Sequence, residues 1–124
     1  MQLEKRSPQE IEYALEIFVE NVQQMLNEHF ATNYAMLTPP EIGVHPGRTY
    51  WKIVKQDAIE HDWQDGGSRQ CSVFGFVRKS DGAIFKAATW KAPYTKGGSA
   101  IRGYVNDNAN GMNSVTPYGV VYAR

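Results

Sequence analysis

The reading of this chain turns on "CSVFGFVRKSDGAIFKAATWKAP", Cys71–Pro93. Valines and phenylalanines dominate the runs on either side of Ser80-Asp81-Gly82. Asp-Gly between two apolar runs is the strongest short-range hairpin signal, so "QCSVFGFVRK" and "AIFKAATW" read as neighbouring antiparallel strands. Side chains alternate across a strand, which places Phe74, Phe76 and Arg78 on one face and Cys71, Val73 and Val77 on the other. One face has to pack against something. If the aliphatic face does so, the aromatic face is open and basic; if the phenylalanines pack inward they are core, the commoner fate of that residue type.

Upstream, "RTYWKIVKQD" reads as a strand with Trp51, Ile53 and Lys55 on one side and Tyr50, Lys52 and Val54 on the other; "EHDWQDGGSR" reads as a polar turn. "TPPEIGVHPGR", Thr38–Arg48, holds three prolines and two glycines and is expected to be an irregular connection. Before it, Ser7-Pro8-Gln9-Glu10 has the form of a helix start: a capping serine, a proline at the first helical position, and a glutamate to complete the capping box. Ile11, Ala14, Leu15, Phe18, Val22, Met25, Leu26 and Phe30 then recur in steps of three and four. A helix from about residue 8 to 30 follows, roughly 34 Å long at 1.5 Å per residue. Downstream, "KAPYTKGGSAIRG" reads as an irregular basic loop, "NDNANGMNS" as turns, and "TPYGVVYA" as a last strand that closes an edge. The expected fold is α+β in one domain: a long N-terminal amphipathic helix, a connection over 31–47, and a β meander over 48–124. The helix packs on a twisted antiparallel sheet of four or five strands, and its overhang favours a homodimer or higher homo-oligomer.

The 124 residues, 42% hydrophobic and 21% charged, suit one globular core rather than a disordered chain. No run of eighteen apolar residues exists and the first ten residues lack an apolar signal segment. With Cys71 as the one cysteine, an internal disulfide is excluded, and a reducing cytoplasm is the expected location. The formal net charge of zero conceals a division. Residues 1–35 hold six glutamates against two bases, a balance of −4, whereas residues 66–106 hold seven bases against Asp81, a balance of +6. Either these segments neutralise one another or the basic one meets phosphate.

Catalytic chemistry finds little support. His29, His45 and His61 sit in separate segments without ligand spacing, and one cysteine builds no zinc cluster. "IEHDWQD" around His61 reads as a solvated turn rather than a metal site. Neither G-x-x-x-x-G-K-[ST] nor G-x-G-x-x-G is present. Cys71, inside a strand, is expected to be a small buried residue and not a nucleophile. No catalytic residue, metal or cofactor is expected.

Two resemblances bear on the basic segment. Phe74-Gly75-Phe76-Val77 resembles the centre of the first signature of RNA-recognition-motif domains, in which alternate aromatics on an open sheet face stack on unpaired bases. The likeness ends at four residues and the βαββαβ order is missing, so only its physical content carries over. The tract Gly82, Phe85-Lys86, Ala88-Thr89-Trp90-Lys91-Ala92-Pro93 and Arg102-Gly103 is similar to one in small tailed-bacteriophage proteins, which have a G-x-x-F-K-x-A-T-W-K-A-P strand followed by R-G. Ala83 stands where those proteins have aspartate, and a longer tail follows Arg102. The resemblance implies a phage origin and a host-cytoplasm location. Independently of it, Lys86, Lys91, Lys96 and Arg102 interleave with Phe85, Trp90, Tyr94 and Tyr104, pairing phosphate-attracting charges with flat stacking surfaces. Trp90 is either a structural plug beside its proline or one of those surfaces. The expected function is non-enzymatic binding of single-stranded DNA or RNA through Lys52, Phe74, Phe76, Arg78, Lys86, Trp90, Lys91, Tyr94, Lys96 and Arg102. Small sheet-plus-helix proteins that bind single strands, such as the Whirly group, are an analogy by fold. The alternative is a protein-interaction module acting on a host or phage protein, with the acidic helix as its working surface.

Overall fold

A computed structural model describes residues 8–56, 71–96 and 100–120. Helix α1, Pro8–Asn33, precedes a five-stranded antiparallel meander of β1 (Glu41–Pro46), β2 (Tyr50–Gln56), β3 (Cys71–Arg78), β4 (Ala83–Phe85) and β5 (Ile101–Tyr104). A 3₁₀ turn at Met112–Ser114 leads into a separate two-stranded hairpin, β6 (Val115–Thr116) and β7 (Gly119–Val120). The fold is α+β, one helix packed on one antiparallel sheet. No helix among the described residues is long and apolar enough to cross a membrane.

The helix stripe behaves as its spacing requires. Leu15, Phe18, Val22 and Leu26 are buried against Ile53, Phe74, Val77, Ile84 and Val105 of the sheet side and Val115 and Val120 of the hairpin. The opposite sheet face carries a second, smaller cluster of Phe76, Ala83, Phe85 and Ala100, flanked by Tyr50, Val73 and Tyr104. Val77 and Ile84 thus point to the helix, while their neighbours Phe76 and Phe85 point away, as pleating dictates.

Phe74 breaks that alternation. Ile53 pairs with Gly75 and Val54 with Val73, so Phe74 is an extra residue opposite no partner. Such a bulge turns two successive residues toward the same side. Phe74 and Gly75 both face the helix, and Phe74 does not share a face with Phe76. Gly75 faces inward so closely that a Cβ there would lie 2.5 Å from Val120 Cγ2 and 3.1 Å from the Phe85 carbonyl oxygen.

Further expectations are corrected. The segment 31–47 is not irregular throughout, because Glu41–Pro46 forms β1. Its proline is compatible because β1 is an edge strand and Pro46 lies on the unpaired side. The third strand is shorter than its apolar run, Ala83–Phe85, and β5 lies in the stretch expected to be loop. The described part of "TPYGVVYA" pairs with no edge of the main sheet and folds back on itself as β6–β7. The Asp-Gly signal does mark the β3–β4 turn, but the loop has four residues, Lys79–Gly82. Gly82, at φ 77°, donates its N–H to the Arg78 carbonyl at 2.8 Å. Cys71 is exposed, at the first position of β3, where Gln56 Nε2 approaches its Sγ at 3.5 Å. The "IEHDWQD" segment lies outside the described residues.

Candidate nucleic-acid interface

The Trp-Lys-Ala-Pro tract forms a small closed loop on the sheet face away from α1. Ala87 bridges Pro93, Tyr94 N–H donates to the Lys86 carbonyl at 2.7 Å, and Ala88 N–H to the Ala92 carbonyl at 3.0 Å. Thr89 sets the tip: its Oγ1 accepts from the backbone N–H groups of Lys91 and Ala92, both at 3.2 Å. A hydroxyl bonding the backbone two and three residues on is a local turn former. It holds Trp90 and Lys91 at the outermost point of the loop. Trp90 is 45% exposed and is not a core plug. Its ring lies under Lys52 Nζ, 4.2 Å from the centroid, a contact worth about 0.5–1 kcal/mol at an exposed site.

Lys52 projects from the same face as Phe76, its cross-strand partner. Between the β1–β2 turn and the Trp90 loop lies a groove of about 510 Å³ lined by His45, Pro46, Gly47, Arg48, Thr49, Tyr50, Lys52, Phe76, Lys91, Ala92 and Pro93. Arg48, Lys52 and Lys91 give it three cations, and no carboxylate lines it among the described residues. Tyr50 packs edge-on to Phe76 and Phe85, with centroids 6.1 and 5.7 Å apart. Tyr50 thereby braces Phe76 within the groove wall.

The remaining expected residues are distributed differently. Phe74 belongs to the helix-side core, so it is removed from the basic face by the β3 bulge. Phe76 is on the correct face but only 3% exposed, which makes it floor rather than stacking surface. Arg78 is held by Asp81 through two bonds, Nε to Oδ1 at 3.0 Å and Nη2 to Oδ2 at 2.7 Å, and stands 5.1 Å from the Phe85 ring centroid. The hydrogen bond to Asp81 raises the Arg78 pKa further above its already high value. For Asp81, partial burial works to raise the pKa. The bonds from Arg78 and from Ala83 N–H outweigh it and hold the carboxyl below its ordinary value. Lys86 Nζ donates to the Val120 carbonyl at 3.2 Å and so anchors the C-terminal hairpin. Tyr94, 42% exposed, and Lys96 lie on the segment leaving the loop but do not line the groove. Arg102 is the bulged residue of β5, between the pairs Ile84–Gly103 and Phe85–Ile101. Its Nε and Nη1 are buried without a hydrogen-bond partner among the described residues.

Arg48, His45 and Tyr50 were not expected in the site. The signal for them is Pro46-Gly47, a turn dipeptide between two alternating runs. Read as a hairpin turn, it brings Arg48 to the end of the sheet beside Lys52.

The model of a family of unknown function, DUF7717, matches residues 2–113. The chain belongs to the DUF7717 family. No curated protein and no solved structure matches it. The part of this DUF7717 member that the family model spans includes α1, all five strands of the meander and every residue of the groove; it ends before the β6–β7 hairpin.

Proposed function

We propose that this DUF7717 member binds single-stranded nucleic acid, without chemistry of its own, in the groove between the β1–β2 turn and the Trp90 loop. The observation that carries the reading is the convergence of Arg48, Lys52 and Lys91 on one groove free of carboxylates, with the half-exposed Trp90 ring at its rim. Three cations lining one groove attract the phosphates of a strand, and an exposed indole gives an unpaired base a stacking partner regardless of its identity. Arg78 and Lys86, engaged with Asp81 and the hairpin, have structural roles in this reading. From the phage-like tract we place the activity in the cytoplasm of an infected host.

The test is fluorescence anisotropy with labelled oligo(dT) and oligo(rU) across a salt series. Lys52→Glu and Lys91→Glu should each weaken binding to both oligonucleotides and flatten the log–log salt slope by about 0.7, one phosphate contact on a single strand. Failure of the wild-type protein to retain either oligonucleotide at low salt would end the reading.

A further inference from the structure

The other side of the molecule has the opposite character. Between α1 and the free edge of β1 runs a second groove of about 510 Å³, lined by Leu15, Val19, Val44, Pro46 and Trp51, with Glu12, Glu16 and Glu20 along its helical wall. These glutamates are exposed and make no ion pair among the described residues. Four residues apart, they form a row of like charges rising about 6 Å per step, an arrangement that mildly destabilises an isolated helix.

The β1 edge beside them is only partly closed. Antiparallel pairs alternate between those that exchange backbone hydrogen bonds and those that exchange none. Gly47 N–H donates to the Tyr50 carbonyl at 2.9 Å, which fixes the phase. Residues 41, 43 and 45 bond across to β2, and 42, 44 and 46 turn their backbone groups outward. Gln23 closes one outward position by accepting the Ile42 N–H on Oε1 at 2.7 Å, while its Nε2 donates to the Pro40 carbonyl at 2.9 Å. Pro46 has no N–H. Val44 is left between them, with its N–H and carbonyl on the open side of the sheet at the mouth of the groove.

We infer that this edge takes an extended segment of a partner protein that carries lysine or arginine at alternate positions. The segment would pair with Val44 and turn its cationic side chains toward α1, their methylene stems against Val19 and Val44 and their charges at the glutamate row. Strand addition of this kind draws affinity from main-chain bonds and specificity from alternate side chains. The spacing agrees: alternate residues of a strand advance about 6.6 Å, close to the 6 Å step of the glutamates. Charge selects this occupant over a second copy of the chain, because joining two β1 edges about a two-fold axis brings glutamate row against glutamate row. The inference is independent of the nucleic-acid reading, whose groove lies on the other face and has the other sign.

The test uses the full chain and the heptapeptide Lys-Val-Lys-Ile-Lys-Val-Lys, acetylated and amidated, with Lys-Gly-Lys-Gly-Lys-Gly-Lys as the control of equal charge. Peptide titration followed by amide NMR should give saturable one-to-one binding, with the Val44 amide shifted and protected from exchange. Combined Glu12→Gln, Glu16→Gln and Glu20→Gln, all at exposed helix positions, should weaken binding roughly tenfold, as three surface ion pairs of ordinary strength allow. The glycine control, which loses more chain freedom on becoming a strand, should bind more weakly by a similar factor. Val44→Pro, which removes the open donor, should abolish the main-chain component; the glutamine variant keeps the test decisive if that protein does not fold. No Val44 shift, equal affinity for the two peptides, or equal affinity of wild type and glutamine variant would overturn the inference. So would a dimer whose Val44 amide is already protected without peptide.

Discussion

Gly75→Ala is expected to destabilise the protein by about 1–2 kcal/mol, against the usual direction of such a change. In an open strand, alanine for glycine stabilises by about 0.4–1 kcal/mol, because the unfolded chain loses freedom. Here the added methyl meets Val120 Cγ2 at 2.5 Å and the Phe85 carbonyl oxygen at 3.1 Å. Val120 is 4% exposed, and its β-branched side chain has few alternative rotamers. Forced overpacking of this kind costs about 1–3 kcal/mol, which exceeds the entropic gain. With a urea m-value of about 1–3 kcal/mol/M, the midpoint should fall by roughly 0.5–1 M. Val120→Ala removes the obstructing methyls and by itself should cost about 1.6 kcal/mol, at about 0.8 per methyl-sized group. The double variant should be less destabilised than the sum of the single ones by about 1–2 kcal/mol, the signature of two side chains in direct conflict. A neutral or stabilising Gly75→Ala, or additivity in the cycle, would refute the bulge geometry and place Gly75 on an open face. In that case the Phe-Gly-Phe-Val run would regain its likeness to a base-stacking strand.

Phe18→Ala, at a position 1% exposed beneath the 3₁₀ turn, should lower stability by about 3–5 kcal/mol in the same urea assay; an unchanged midpoint would mean that the helix does not pack on the sheet. Trp90→Ala should reduce oligonucleotide affinity by about 1–3 kcal/mol while shifting the thermal midpoint little, since the ring is half exposed; the reverse pattern would make Trp90 structural. Asp81 carries a pH dependence. Its folded pKa is depressed, so its contribution is complete above the unfolded value of about 3.9 and is lost as pH falls through the lower folded value. The stability gap between wild type and Asp81→Asn should therefore be open at neutral pH and close below about pH 4; a gap independent of pH would count against the Arg78–Asp81 pairing.

The helix was legible in the residues themselves. Ile11, Leu15, Phe18, Val22 and Leu26 repeat at the helical period, and the same positions are buried. The Asp-Gly turn and the alternation along β2 were equally plain, because both are local: each depends on neighbours within a few residues. The basic balance of residues 66–106 was visible too. Its division into bound and available cations was not, since Arg78 is engaged by Asp81 nearby but Lys86 by a carbonyl thirty-four residues on. Three features depended on distant partners. Glu41–Pro46 is a strand because Tyr50–Gln56 lies beside it and an outward proline leaves the ladder intact. Trp90 is exposed because Thr89 closes a loop that carries it clear of the sheet. Phe74 leaves the basic face because one unpaired residue enters the register between Ile53 and Val54. Sequence alternation assigns faces only while pairing stays one-to-one. A bulge is a property of two strands together, so it reverses the assignment without leaving a mark in either strand alone.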